Sequence, residues 1–214
     1  GDHPLDRGFD TFKGFLGDMM DDYRTHRRHA INYMRDGRRE IDPEGHATDL
    51  FTQWAVDVVA HHDTRVPLFL YLAYNAPHVP VQPPEASLAA VRARLPGLDE
   101  TRAKLLALVE HMDDGIGRVL DALDRRGMLA GSLVIATSDN GGEVPAGATN
   151  NGLRGGKPVL YEGGIRIPGL LRMPGLTRPG SLIDVPAQLM DLTPTLAELV
   201  DAPLDAPDGR SLWP

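Results

Sequence analysis

The sequence predicts an α/β fold in which helices flank a layered, mostly parallel sheet. The first observation behind this prediction is a set of continuous apolar runs of strand length, at Pro67–Tyr74, Ser132–Thr137 and Ile167–Arg172. Such runs are typical of parallel strands that are covered on both faces. The second observation is that segments with helical spacing of apolar residues alternate with these runs, which favours a layered α/β architecture.

The first half of the chain contains one clear helical pattern. Residues 1–46 are predicted to be mostly irregular, with a hairpin around Asp36-Gly37. A helix is predicted over Ala47–His62, because its apolar residues recur at intervals of three and four. The strand-length run that follows this helix leads into a proline-rich loop, Pro77–Pro84.

The longest predicted helix covers Asp99–Arg126. Apolar residues line one face of it throughout, and Gly127 is suited to end it. A last helix is predicted over Pro186–Val200, with Pro194 in or near its first turn. No internal repeat or linker divides the chain, so one domain is expected for residues 1–214.

Composition excludes several classes of function. The net charge of −8, from 22 basic and 30 acidic residues, argues against a general nucleic-acid surface. No apolar run approaches the roughly 18 residues of a membrane span. The chain contains no cysteine, so disulfides and thiolate metal sites are excluded within it.

A carboxylate and an amide follow the second predicted strand, in Asp139-Asn140-Gly141-Gly142. Ligands of α/β sheets bind beyond the carboxyl ends of the strands, and side-chain oxygens of this kind suit Ca²⁺ or Mg²⁺. The same four residues are also common in ordinary turns, so a turn without a bound metal is the alternative. The position after a core strand favours Asp139 and Asn140 as metal ligands.

Lys157 and His78 are the other two candidate site residues. Lys157 follows Gly155-Gly156, and glycine-rich backbone can bring a fixed cation close to an anion, although most loop lysines are simply solvated. His78 follows the first predicted strand, where a side chain that titrates near neutral pH suits proton transfer. The alternative for His78 is a structural loop histidine. We expect both residues to converge on the pocket of Asp139 and Asn140.

Paired acidic residues elsewhere are not predicted to be catalytic. Asp113-Asp114 lies within the longest helix, and the spacing of the apolar residues indicates that the pair is on the polar side of that helix. Asp21-Asp22 does not follow a strand, so it is not interpreted as a metal site.

These segments resemble the carboxyl-terminal signature of the type I sulfatases in the alkaline-phosphatase superfamily. The resemblance rests on Ser138–Gly142 and Leu153–Pro168. Four further stretches match the family: Arg7–Asp10 with Gly14-Phe15, Thr48–Phe51, Asn75–Pro80 and Asp208–Leu212. The resemblance implies an alkaline-phosphatase-like fold and hydrolysis of sulfate esters.

The resemblance also implies a role for each candidate residue. Asp139 and Asn140 would bind one divalent cation, usually Ca²⁺, with Mg²⁺ as the alternative. Lys157 would contact a sulfate oxygen, and His78 would contact the sulfate and protonate the leaving oxygen. Arg154 and Asn150, which flank the lysine loop, are further candidates for substrate binding. The implied partner is a sulfated small molecule or a sulfated saccharide.

The family's nucleophile is not expected within this chain. It is a formylglycine made from the first residue of a Cys/Ser-x-Pro-x-Arg motif, and no serine of the chain lies in that motif. We therefore interpret residues 1–214 as a single partial catalytic domain. It would be an internal fragment that lacks the upstream nucleophile motif and the last subdomain, and it would be inactive alone.

Two alternatives to a sulfatase stay open at this point. One is a phosphonate or phosphate ester hydrolase of the same superfamily, which the lysine loop disfavours. The other is a non-catalytic module that binds an anion through the retained half of the site. The sequence leaves the cellular location unknown, while the resemblance implies the periplasm or the outside of the cell.

Overall fold

A computed structural model describes residues 3–202 and 204–213. Its amino-terminal segment forms short antiparallel strands. Strands β1 to β5 cover Lys13–Phe15, Arg27–Arg28, Ile31–Asn32, Met34–Asp36 and Arg39–Glu40. Strands β1, β4 and β5 make one sheet in that order, and β2 pairs with β3. A 3₁₀ turn precedes them at residues 4–6.

The predicted hairpin at Asp36-Gly37 is confirmed. Strands β4 and β5 pair in antiparallel register with Asp36 opposite Arg39, which leaves a two-residue connection. Gly37 has a φ of +57°, a conformation that glycine adopts without the steric cost of a side chain.

Three helices form the layer that buries most of the apolar side chains. They are α1 (Ala47–His61), α2 (Glu85–Arg94) and α3 (Glu100–Arg125), and α3 packs against the other two. The predicted helices over residues 47–62 and 99–126 are therefore confirmed. Asp99 caps α3 by accepting a hydrogen bond from the Arg102 amide at 3.1 Å.

Helix α2 was not predicted, because it is short and buries only two of its side chains. Those two, Leu88 and Val91, pack with Ala103 and Ala107 of α3. The main core cluster includes a different residue of α3, Leu108. Its buried residues are Met20, Tyr23, Met34, Ala47, Phe51, Ala76 and Leu108.

The second half of the chain contains β6 (Val134–Thr137), α4 (Glu162–Ile165), β7 (Gly169–Arg172) and α5 (Leu192–Leu199). Further 3₁₀ turns occupy residues 129–131, 144–146 and 189–191. Pro194 lies in the first turn of α5, as predicted. The predicted strands over residues 132–137 and 167–172 are both present as β6 and β7.

Strand pairing differs from the predicted parallel arrangement. Within residues 3–202 and 204–213, every strand pair is antiparallel, including β6 with β7. A parallel pair needs a long crossover connection, usually a helix, whereas the only helix between β6 and β7 has four residues. The chain therefore returns alongside β6 in the opposite direction.

The predicted strand Pro67–Tyr74 is not assigned to any sheet among the described residues. Its side chains alternate between partly buried and exposed, with Phe69 65% and Tyr71 73% exposed. The segment leads directly into the proline-rich loop, so it delivers His78 to the surface of the helical layer.

No helix in the part of the chain that the structure describes has the length and apolar content needed to cross a membrane. The two acidic pairs are structural. Asp113 and Asp114 are exposed on α3. Asp21 is paired with Arg28 at 2.8 Å, and Asp22 accepts hydrogen bonds from nearby backbone amides.

Candidate active site

Two predicted site residues that are 79 positions apart in sequence are in direct contact. Nζ of Lys157 lies 3.1 Å from Nε2 of His78. Nδ1 of His78 lies 2.7 Å from the carbonyl oxygen of Val79. A carbonyl can only accept, so Nδ1 carries the proton, and Nε2 accepts from the lysine ammonium group. His78 is therefore a neutral imidazole whose lone pair is directed at Lys157.

Lys157 also lines a pocket together with the predicted metal ligands. Asp139, Asn140 and Lys157 form the polar part of a pocket of about 340 Å³. The remaining lining is mostly apolar, from residues 158–160 and 164–165, and Leu160 is 87% exposed. The structure thus brings Asp139, Asn140 and Lys157 to one pocket, and His78 reaches that pocket through Lys157.

Two loops interlock to create this arrangement. The turn after β6 and the lysine loop exchange backbone hydrogen bonds, from the Gly141 amide to the Gly164 carbonyl at 2.9 Å and from the Lys157 amide to the Gly142 carbonyl at 3.2 Å. A side chain on Gly141 would overlap the carbonyl oxygen of Gly163. The glycines of both loops are therefore required by close backbone approach.

Asn150 joins the two loops, and its predicted contact with substrate stays a prediction. Its Nδ2 donates to the carbonyl oxygens of Gly142 (3.1 Å) and Gly155 (2.9 Å), and its Oδ1 accepts from the Gly142 amide at 2.9 Å. Both amide hydrogens are therefore committed to backbone partners. The structure uses Asn150 to fasten the two loops to each other, and it does not line the pocket.

Arg154 lies on the outside of the lysine loop. Its guanidinium group stacks on the Tyr161 ring at 3.7 Å and donates to the Tyr161 hydroxyl at 2.8 Å. It is not among the pocket-lining residues. Its proposed contact with substrate stays a prediction.

The oxygen atoms offered by Asp139 and Asn140 fit a hard divalent cation. Within the described residues, the Asp139 carboxylate makes no hydrogen bond or ion pair. Asn140 donates through Nδ2 to the Gly141 carbonyl at 3.0 Å, and its Oδ1 has no partner in the same part of the chain. An unpaired carboxylate beside a free amide oxygen is a donor set that calcium or magnesium accepts.

A second group of metal-ligand types lies elsewhere, where sequence reasoning placed no site. Ligand atoms of His46, Asp49 and His111 all lie within 4.8 Å of one another. However, His46 already donates to the Gln82 carbonyl at 2.9 Å and accepts from the Thr48 amide at 3.3 Å. A metal ion could bind His46 only by displacing one of these hydrogen bonds, so the group fits an ion less well than Asp139 and Asn140 do.

Sequence reasoning missed the residues that hold the His78 loop. The Tyr23 hydroxyl donates to the His78 carbonyl at 3.0 Å, and the Tyr23 amide donates to Oε1 of Gln82 at 2.9 Å. No local pattern predicts a contact between residues 55 positions apart. The only available sign was a lone amide side chain, Gln82, within a proline-rich loop.

Comparison with known proteins identifies the family. The family model described as Sulfatase matches residues 2–202. The chain belongs to the sulfatase family. It is 34% identical to arylsulfatase J of Mus musculus over 98% of its length, which is 36% of that protein. It is 43% identical to the steryl-sulfatase of Rattus norvegicus over 50% of its length, which is 20% of that protein.

The fold is also that of solved structures. The chain superimposes on the crystal structure of Ps i-CgsB in complex with k-i-k-neocarrahexaose with a TM-score of 0.87 and 31% identity. This match covers 99% of the chain and 51% of the solved chain. The α/β, alkaline-phosphatase-like class is thereby confirmed. The sulfatase chain spans between about a third and about half of the length of these two matches. Sulfatases are in general metal-dependent.

Proposed function

We propose that the full-length protein is a sulfuric ester hydrolase, which converts R–O–SO₃⁻ and water to R–OH, sulfate and a proton. The observation that carries the proposal is the contact of Lys157 with His78 at the edge of a pocket that also presents the Asp139 carboxylate. A lysine cation, an imidazole and side-chain oxygens lie close together, which supports the proposed reaction. Family membership supports the same reaction.

Lys157 is the proposed sulfate-binding group. Its ammonium group approaches the pocket from a loop whose backbone is fixed by the interlocking glycines, and a preorganised cation stabilises negative charge that grows on a sulfuryl oxygen. The ammonium group has three N–H donors, so the one directed at His78 leaves two for a sulfate oxygen. Rotation of the ammonium group toward the ester would free Nε2 of His78.

His78 is the proposed proton donor to the leaving oxygen. Its Nδ1 proton is held by the Val79 carbonyl, so the atom available to the reaction is Nε2. Once Lys157 turns to the sulfate, Nε2 can take up a proton and deliver it to the departing alkoxide or phenoxide. The Val79 carbonyl keeps the ring oriented in both protonation states.

Asp139 and Asn140 would hold the divalent cation, for which calcium is proposed and magnesium is the alternative. When bound, the cation supplies positive charge beside the sulfuryl oxygens. The proposal requires a nucleophile outside the 214 residues, since the chain has no cysteine and no serine in the required motif. A formylglycine in the remaining part of the full-length protein would meet this requirement. The 214 residues would then form one partial catalytic domain.

The proposed substrate is a sulfated small molecule or a sulfated saccharide. The related structure was solved with an oligosaccharide, and two relatives are named for aryl and steryl sulfates. The apolar side of the pocket, residues 158–160, offers a surface for the ring of either kind of substrate. A periplasmic or extracellular location is proposed by analogy with the family.

Substitution at the two ends of the pocket tests the proposal in the full-length protein. Lys157→Ala should lower turnover of 4-nitrophenyl sulfate by about 10²-fold or more, which is typical for loss of one preorganised charge contact, while calcium affinity is retained. Asp139→Ala should lower turnover similarly and also weaken calcium binding measured by calorimetry, because it removes an anionic ligand. Lys104→Ala and Asp113→Ala, on the solvent-facing side of α3, are the matched controls.

Two results would contradict this assignment. One is faster hydrolysis of 4-nitrophenyl phosphate than of the sulfate, which would favour a phosphatase of the same superfamily. The other is loss of calcium binding in Lys157→Ala with wild-type affinity in Asp139→Ala, which would reverse the proposed division between metal and anion.

A further inference from the structure

Besides the contact of His78 with Lys157, four hydrogen bonds among the described residues fasten the loop that carries His78 to distant parts of the chain. Tyr23 donates its hydroxyl to the His78 carbonyl (3.0 Å) and its amide to Oε1 of Gln82 (2.9 Å). Nε2 of Gln82 donates to Oδ2 of Asp22 at 3.0 Å, and Nε2 of His46 lies 2.9 Å from the Gln82 carbonyl. These hydrogen bonds therefore anchor the loop at His78 and at Gln82.

The loop depends on these bonds because its own backbone offers few. Residues 76–83 contain no helix or strand, and three of the residues from 77 to 83 are prolines, which have no amide hydrogen to donate. One short backbone bond is present, from the His78 amide to the Asn75 carbonyl at 2.9 Å. The position of the His78 backbone is consequently set mainly by side chains from other segments.

The two aromatic members of this network are buried and stacked. Tyr23 is 1% exposed and His46 is 3% exposed, and their rings stack with centroids 5.1 Å apart. Burial raises the pKa of Tyr23 and lowers the pKa of His46. Tyr23 therefore retains the proton that it donates, and His46 stays neutral with one N–H for the Gln82 carbonyl.

Asp22 completes the network as an ionised carboxylate. Partial burial opposes its ionisation, but hydrogen bonds from the Thr25 and Arg24 amides and from the Gln82 side chain lower its pKa overall. The same carboxylate thus holds the Gln82 amide in the orientation that leaves Oε1 facing the Tyr23 amide. Each donor and acceptor that anchors the loop in this network therefore has a hydrogen-bond partner.

We propose that Tyr23 is a positioning residue for catalysis, which holds the His78 imidazole against Lys157 through the His78 carbonyl and through Gln82. This inference rests on the proposed sulfatase function. Removing the Tyr23 hydroxyl lets the His78 backbone shift, which lengthens the contact between Nε2 and Lys157 and misplaces the proton donor. The ring packing is unaffected, because the aromatic ring that stacks on His46 remains.

Tyr23→Phe in the full-length protein tests this with substrates that differ in leaving group. Proton donation matters most when the leaving alkoxide is strongly basic. We expect kcat to fall about tenfold for an alkyl sulfate, the loss typical of one hydrogen bond, but at most about twofold for 4-nitrophenyl sulfate. A purely structural role would reduce both rates by the same factor.

Tyr74→Phe is the matched control. The Tyr74 hydroxyl is also hydrogen-bonded, at 2.8 Å to Oγ1 of Thr52, and among the described residues it makes no hydrogen bond to the His78 loop. We expect this variant to keep the wild-type ratio of the two rates. An equal change of that ratio in Tyr23→Phe and Tyr74→Phe overturns the proposal.

A spectroscopic measurement separates this inference from the proposed function. The ¹⁵N signal of Nε2 in His78 reports its hydrogen bond with Lys157 without any turnover. We expect the signal to move toward that of a free ring nitrogen in Tyr23→Phe and to stay in place in Tyr74→Phe. If the wild type hydrolyses no sulfate ester, the proposed function fails, while an unmoved signal in Tyr23→Phe overturns the positioning role.

An exchange of partners provides a second test if Tyr23→Phe does not fold. Gln82→Glu places two carboxylates together and should shift the His78 signal. Adding Asp22→Asn restores an amide–carboxylate bond with donor and acceptor reversed, while its side-chain oxygen can still accept from the Arg24 and Thr25 amides. We expect the pair to recover most of the wild-type signal. An effect of equal size in the single and paired variants overturns the proposal.

Discussion

The helical layer and the second half of the chain are stabilised by different interactions. In the described residues, the buried hydrophobic side chains lie between Met20 and Ala122, apart from Pro194 in α5. In the second half, apolar side chains of the same kinds are exposed, as with Leu170 (69%) and Leu182 (91%). Buried positions there include the glycines of the interlocked loops, such as Gly141 and Gly164. The helical layer is stabilised mainly by apolar packing, and the second half of the chain is stabilised mainly by backbone hydrogen bonds.

The candidate active site lies where these two regions meet. His78 comes from a loop that is gripped by the helical layer, whereas Asp139 and Lys157 come from the interlocked loops. The contact between His78 and Lys157 therefore connects the region that is stabilised by apolar packing to the region that is stabilised by backbone hydrogen bonds. The geometry of the site depends on both kinds of stabilisation, and each can be weakened separately.

The largest expected effect is on the packed region. Leu108 is fully buried in the main core, and Leu108→Ala should lower the free energy of unfolding of the 214-residue chain by about 2–5 kcal/mol. Leu170→Ala removes an exposed side chain on β7 and should cost less than about 0.5 kcal/mol. Urea denaturation of both variants measures the difference. Similar losses would mean that β7 is packed as tightly as α3.

The next effect concerns the backbone-bonded region. Gly141→Ala forces a side chain into the Gly163 carbonyl and should separate the two loops, which misplaces Asp139 relative to Lys157. A displacement of about 1 Å costs on the order of 10²-fold in rate, so sulfate ester turnover of the full-length protein should fall by that factor. Gly131→Ala is the control, since a side chain there meets no atom within 4 Å. Wild-type turnover in Gly141→Ala would refute the interlocked geometry.

A smaller effect is expected at Asn150, which makes three hydrogen bonds between the loops. Asn150→Ala removes these bonds but leaves the direct backbone contacts in place. We expect turnover of the full-length protein to fall about tenfold, with thermal stability of the helical layer unchanged. Thr149→Ala, at the exposed neighbouring position, should have no effect. A loss above about 10²-fold would instead indicate that Asn150 contacts substrate, as the sequence predicted.

Sequence reasoning succeeded where a local pattern carries the information. Helix α3 was predicted because its apolar spacing is regular and because Gly127 is suited to end it. Asp139 and Lys157 were selected as candidates because glycines flank them and because Asp139 follows a strand, and the structure brings both to one pocket. These signals lie within a few residues of the feature that they predict.

It failed where the information lies in contacts between distant segments. The Tyr23 hydroxyl and the His78 carbonyl are 55 residues apart, and neither residue has a neighbour that predicts the bond. The antiparallel pairing of β6 with β7 follows from a connection without a long crossover helix, which the apolar runs alone do not reveal. The hydrogen bonds by which Asn150 joins the two loops likewise become visible only once both loops are folded.

The smallest expected effect is a difference in pH dependence between the two regions. All eight histidines lie before residue 112, so the part of the chain that contains β6 and β7 has none. Burial lowers the pKa of both His26 and His46 from the usual 6.5, against the opposing effect of their hydrogen bonds to backbone carbonyls. The unfolded chain therefore binds these protons more readily than the folded chain does between the lowered pKa values and 6.5.

The contribution of these two histidines to the stability of the helical layer should therefore be fully present above about pH 6.5. It should decline as the pH falls below that value. Carboxylates such as Asp21 and Asp22, whose pKa values lie below 3.8, keep their charge in this range and do not contribute. Hydrogen exchange at pH 7.5 and 5.5, corrected for intrinsic rates, should show lower protection at pH 5.5 in α1 and α3 but unchanged protection in β6 and β7. His46→Gln should reduce the pH dependence in α1, because it removes one of the two buried imidazoles while leaving a side-chain amide able to donate to the Gln82 carbonyl. An equal loss of protection in both regions would show that they unfold as one unit. The two regions would then differ in the interactions that they contain but not in their stability.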